Sequence, residues 1–152
     1  MTPNHFTQPA RPDISARTVF LDVNGVRALR GLTADKVKEL VDEGKFFYVF
    51  DLGRKENGIR HLRFWVHEVV NPSGFAGMPL PEVIAKILPV SRGTFSGSEI
   101  GQWFLVSRPT VKRIGVECQG KVSSCRVLTI PRAPLAAFLS RRWVGQPKEA
   151  EK

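Results

Sequence analysis

Catalytic raw material is scarce in this chain. Its 152 residues hold two cysteines, Cys118 and Cys125, and three histidines, His5, His61 and His67. The cysteines have no histidine near them in sequence, so they cannot complete a zinc site. A disulfide across a hairpin is conceivable, but a chain that is not exported sits in a reducing compartment, so both read as ordinary small side chains. His67-Glu68 imitates a metal or acid–base pair only in isolation and reads as a surface pair. Gly93 and Gly97 are followed by no Gly-Lys-Ser or Gly-Lys-Thr, which excludes a phosphate loop. No nucleophile elbow is present. The expectation is therefore a protein that is not an enzyme, with no metal and no cofactor.

Long apolar runs are missing too. None approaches the roughly 18 residues of a membrane span. The leading MTPNHFTQPARPDISAR has no apolar signal core, so the expected location is the cytoplasm, with no membrane partner. Acids are the minority charge, at 14 Asp and Glu against 23 Lys and Arg, a net of +9 with a pI of about 10.2. That balance points to a polyanionic partner. The apolar fraction of 42% is ordinary for a globular protein, and the length allows one medium domain or two small ones.

What is there gathers around SGSEIGQWFLVSRPTVKRI, residues 96–114. Ile100, Trp103 and Phe104 share one face of a short helix. Val106 plugs a turn, Ser107 is suited to accept an orphan N–H of the next helix, and Pro109 fits a first helical turn. Val111 and Ile114 then point inward. Ser107, Arg108, Thr110, Lys112 and Arg113 are left on an outer face fit to meet phosphates and base edges in a major groove. Gly120-Lys121 lies between β-prone Val116-Glu117-Cys118 and Arg126–Ile130, which predicts a small hairpin with Lys121 and Arg126 as its cations. In PRAPLAAFLSRRW, Leu135, Phe138, Leu139 and Trp143 make one apolar stripe. Helix, turn, helix, hairpin, closing helix is a winged helix-turn-helix.

The first half repeats the pattern more loosely. Val19, Leu21 and Val23 lead into a short helix, a Gly31 turn, a Thr33 cap and a second helix with Val37, Leu40 and Val41 inward. KFFYVFDLG reads as a strand, RKENG as its turn, IRHLRFW as the return and VHEVVN as a closing helix. A shift of 74 residues places Val26 on Ile100, Leu32 on Val106, Thr33 on Ser107, Val37 on Val111, Lys38 on Lys112 and Leu40 on Ile114. Past the wing the shift is 66, placing Leu62 on Leu128 and Val69 on Leu135. The expected fold is α+β, mainly helical: two tandem winged helix-turn-helix modules, 19–71 and 96–144. A linker, 72–95, carries a short helix at about 81–88, packed on a module or on a second copy. Residues 1–18 and 145–152 read as a mobile arm and tail.

EIGQWFLVSRPTVKRI, a short wing and RVLTIPRAPLAAFLSRR resemble the excisionase-like, MerR-related winged-helix family of bacteria and their mobile elements. The resemblance covers residues 96–143 well and 19–71 more loosely. It implies sequence-specific binding of double-stranded DNA, with the second helix in the major groove and the wing at the flanking minor groove. Such proteins act as recombination directionality factors or as transcriptional regulators. Two departures stand out. Leu105 occupies the usual turn glycine of the second module, where the first keeps Gly31, and Arg27 replaces the small crossing residue that the second module has as Gly101.

Charge separates the modules. Residues 1–74 hold 11 Lys and Arg against 9 Asp and Glu, whereas residues 75–152 hold 12 against 5. In module one, Thr33, Lys36 and Lys38 of the helix and Arg54, Lys55 and Arg60 of the wing are the weaker DNA contacts, because Asp35, Glu39 and Asp42 share that helix. Further expected partners are a recombinase, the transcription machinery or a second copy assembling on DNA. The alternative is an adaptor whose first module binds protein while only the second binds DNA. An RNA-stacking role for Phe46, Phe47, Tyr48 and Phe50 is less simple than burial in a strand.

Overall fold

The computed structural model describes residues 18–53 and 61–145. It is α+β and about half helical, with seven α-helices and two three-stranded antiparallel sheets among the described residues. A first unit runs β1 (Phe20–Leu21), α1 (Val23–Arg30), α2 (Ala34–Asp42), β2 (Val49–Asp51), β3 (Leu62–Trp65) and α3 (Val66–Val70). A single 3-10 turn, Pro72–Phe75, leads to α4 (Leu80–Ile87). The second unit is β4 (Thr94–Ser96), α5 (Gly97–Phe104), α6 (Arg108–Glu117), β5 (Lys121–Val122), β6 (Leu128–Pro131) and α7 (Arg132–Arg141). The expected arm through residue 17, Arg54, Lys55 and Arg60 of the first wing, and the tail from 146 lie outside the described residues.

The two units have the same order of elements and the same strand order, β1-β3-β2 and β4-β6-β5. Their registers also agree. Phe20 faces Trp65 and Leu21 faces Phe64, while Thr94 faces Pro131 and Phe95 faces Ile130. The shifts of 74 and 66 read from the sequence carry the first set onto the second.

Local chemistry explains the helix starts and stops. Asp22 opens α1 by accepting from Gly25 N at 2.8 Å, and Thr33 opens α2 by accepting from Lys36 N at 3.1 Å. Gly31 ends α1 in the left-handed region at φ 67°, the conformation glycine adopts without a Cβ penalty. Ser96 and Glu99 form a reciprocal capping box on α5, Glu99 N to Ser96 Oγ at 3.1 Å and Ser96 N to Glu99 Oε1 at 3.0 Å.

Several local expectations are corrected. Val116-Glu117-Cys118 continues α6 instead of forming a strand, because Cys118 N still bonds Ile114 O at 2.8 Å. Helical period then leaves Val116 exposed and Cys118 buried. The wing accordingly begins later, at Lys121. Of KFFYVFDLG only Val49–Asp51 is strand. Leu40 is only half-buried, and the inward pair of α2 is Val37 and Val41. Glu68 is not at the surface. It is buried, its Oε2 accepting from Phe47 N and its Oε1 from Tyr48 N, both at 2.9 Å.

The core joins the units. Phe20, Phe50, Leu52 and Trp65 of the first pack in one cluster with Phe95, Ile100, Phe104 and Phe138 of the second. Phe20 meets Phe104 edge-on with centroids 5.2 Å apart. Val83, Ile84 and Ile87 of α4 are buried in that same cluster, so the segment between the units is part of the core. A second, smaller cluster lies within the first unit around Val26, Val37 and Phe64. Past α7 the chain returns to the first sheet: Asp51 N bonds Arg142 O at 2.9 Å, Val144 N bonds Val49 O at 2.8 Å, and Trp143 Nε1 donates to Phe47 O at 2.8 Å.

Candidate nucleic-acid interface

The α5–turn–α6 pair is held from three sides. At its start, Arg92 forks onto Glu99 at 2.7 and 2.9 Å and lies over the Phe95 ring, 4.7 Å from its centroid. These bonds from Arg92, more than any other contact, hold the Glu99 carboxyl below its ordinary range. In the middle, Leu105 takes the left-handed turn position at φ 55°, and Val106 N reaches back to Gly101 O at 3.2 Å. Against the wing, Gly115 lets β6 approach, since a Cβ there would stand 3.0 Å from Leu128 Cδ2.

Ser107 occupies the N-cap of α6, but its hydroxyl makes no bond to a backbone N–H. Pro109 at the second helical position has no N–H to offer. The Ser107 hydroxyl lies instead 3.2 Å from that of Thr110. This differs from the expected cap and leaves both hydroxyls together on the outer rim of the helix start.

An open groove of about 1020 Å³ runs between the start of α5, the outer side of α6 and the wing, lined among others by Ser98, Gln102, Arg108, Lys112, Arg126 and Val127. It brings Arg108 and Lys112 of α6 together with Arg126 of the wing. Lys121 is exposed on β5. The charged side chains of these four residues have no hydrogen bond or ion pair among the described residues. Arg126 is held at φ 65° by the wing turn, in which Arg126 N bonds Ser123 O at 2.9 Å and Ser123 N bonds Val127 O at 3.0 Å. The acid of α6, Glu117, lies at the far end of the helix, 3.4 Å from both Arg141 and Arg142.

Arg113 is placed differently from its expected role. It is half-buried, and its Nη2 donates to Leu52 O of the first unit at 2.9 Å. In that unit Thr33 is committed to its cap, Lys36 lies 3.7 Å from Glu39, and Lys38 is exposed beside Asp35, Glu39 and Asp42. The two helices therefore offer different charge to a partner. Sequence reasoning passed over Ser98 and Gln102, although both stand on the polar face of α5 one turn apart. It also passed over Arg63, whose signal was absent because its contacts are far off in sequence.

No helix among the described residues is long and apolar enough to cross a membrane. Comparison with protein-family models, with curated proteins and with solved structures found no match to this chain.

Proposed function

We propose that the chain is a sequence-specific double-stranded DNA-binding protein of excisionase-like character, with two tandem winged helix-turn-helix units of which the second is the main reader. The observation that carries this reading is the groove that collects Arg108, Lys112 and Arg126 from helix and wing, with no internal partners among the described residues. Four uncompensated cations, Lys121 included, suit a phosphate backbone, and their release of counterions makes affinity fall steeply with salt. The Ser107 and Thr110 hydroxyls add short donors and acceptors at the helix start. No chemical step is assigned; the output comes from occupying or bending DNA, or from recruiting a recombinase or the transcription machinery to a mobile element in a bacterial cytoplasm.

A second reading, in which the first unit grips protein and only the second grips DNA, is favoured by the Lys36–Glu39 pair and the exposed carboxylates of α2. The deciding experiment selects duplexes from a random pool with the full chain, then footprints and gel-shifts the winner. Arg108→Ala with Lys112→Ala should cost about 1–3 kcal/mol of binding free energy for each base edge no longer read. Unchanged binding by that double variant rejects the assignment. If Lys36→Ala with Lys38→Ala leaves the footprint unaltered, the adaptor reading gains over tandem reading.

A further inference from the structure

Arg63 sits on β3 of the first unit, yet most of its guanidinium is spent on the second. Nε donates to Phe104 O at 2.8 Å and Nη2 to Leu105 O at 2.7 Å, while Nη1 holds Leu62 O of its own strand at 2.9 Å. The two carbonyls reached across the units are the last of α5 and its C-cap, groups that a helix end leaves without intrahelical partners. A cation there also meets the negative end of the helix dipole.

Those carbonyls flank the turn that sets α6 against α5. Leu105 holds that turn at φ 55° and ψ 51°, where a Cβ crowds the following carbonyl. The equivalent residue of the first unit is Gly31, at φ 67°, which carries no such penalty. Leu105 is 42% exposed, so burial of its side chain does little to fix the turn. The second unit thus has the unfavourable residue at its turn and, bonded to that same residue, an arginine from the first.

We infer that Arg63 is a positioning residue: through it the first unit holds the α5–α6 turn in its left-handed conformation and so fixes the angle at which α6 presents Arg108 and Lys112. The inference rests on the reading of α6 as the DNA-contacting helix, but its central claim, control of the turn, is measurable without DNA.

The test is a double-mutant cycle of Arg63→Gln and Leu105→Gly in the full chain. Amide exchange at Val106, whose N–H closes the turn onto Gly101 O, is read alongside affinity for the selected duplex and the urea midpoint. Arg63→Gln should speed Val106 exchange at least tenfold, well beyond any change in α2, and weaken duplex binding about tenfold. In the Leu105→Gly background, the same substitution should change exchange and affinity less than threefold, since glycine needs no clamp. Equal losses in both backgrounds, or no change in turn exchange, would overturn the inference. Should Arg63→Gln fail to fold, Arg63→Lys keeps the charge and the stem but not the fork. If neither folds, rescue of folding by Leu105→Gly supports the clamp and failure to rescue overturns it. A wild-type chain that binds no duplex defeats the DNA-binding reading, while the exchange cycle still decides the role of Arg63.

Discussion

Cys118 and Cys125 are near neighbours in sequence and opposites in environment. Cys118 is fully buried in the shared core, and Cys125 is exposed on the wing. Burial, reinforced by Glu117 and opposed by Arg141 and Arg142, pushes the Cys118 thiol up to about 11. The thiolate is the reactive form, so one cysteine should be alkylated in native buffer and both in denaturant, counted by intact mass. Two rapid native modifications would contradict the burial. Glu68 makes the matching case for an acid. Burial raises its carboxyl above the ordinary range, against the two N–H bonds from Phe47 and Tyr48 and the Arg30 charge, which lower it. The folded chain therefore holds that proton more tightly than the unfolded one. Stability due to Glu68 is fully present below its unfolded pKa and declines as pH rises through the raised folded value. Urea titrations from mildly acid to neutral pH should show this decline, and Glu68→Ala should abolish it. At neutral pH that substitution leaves the buried Tyr48 N–H without an acceptor, at a cost of about 1–3 kcal/mol.

At the scale of elements, helix starts were legible in part, since Ser107 stands at the start of α6 as expected but its hydroxyl bonds no backbone N–H. Thr33 accepts the N–H its position predicts, because a cap depends on residues within one turn. Gly31 ends α1 for an equally local reason. The wing was placed less well: Val116 has β-branched chemistry, but a helix already running past Ile114 adds one bond per residue and overrides that preference. The wing turn then falls at Ser123–Arg126, with Arg126 at φ 65°. Glycine is the residue such a position favours. Arg126→Gly should therefore be as stable as the parent, or more so by up to about 1 kcal/mol, while the salt slope of duplex binding falls by about one unit. Lys121→Ala should lower the slope similarly and leave sequence preference alone. Altered sequence preference with an unaltered slope would mean that the wing does not track the backbone.

The whole molecule differs most from what two beads on a linker would be. Phe20 packs on Phe104, α4 is buried between its neighbours, and residues 142–144 join the edge of β2. Chemical denaturation followed by near-UV signals and by exchange in each unit should give one coincident transition. Trp143→Ala removes an edge-on packing with Phe47, centroids 5.2 Å apart, and the bond to Phe47 O. For this half-buried ring the destabilisation should be on the order of 2–3 kcal/mol, below the range for a fully buried one, and it should shift both units together. Two separate midpoints would show that the shared core is energetically minor. The arrangement also changes the expectation for DNA. A flexible tether sets an effective concentration, whereas a shared core fixes one unit against the other, so that under the proposed tandem reading half-site spacing becomes a rigid geometric demand. Footprints on sites with altered spacing should then lose affinity abruptly.

The sequence by itself determined the order of the helices and their repetition, because capping, left-handed turns and apolar periodicity act within a few residues. The shifts of 74 and 66 follow from that local grammar and recur in the strand registers. It also placed Arg108, Lys112, Lys121 and Arg126 on the surface, since uncompensated charge is costly to bury. Only the tertiary structure decided what the remaining cations do. Arg63 and Arg113 carry the same guanidinium as Arg108, but packing of the two units sets backbone carbonyls of Leu52, Phe104 and Leu105 within their reach. Whether an arginine faces solvent or closes an interface depends on residues some 40 to 60 positions away, and no local pattern encodes that distance.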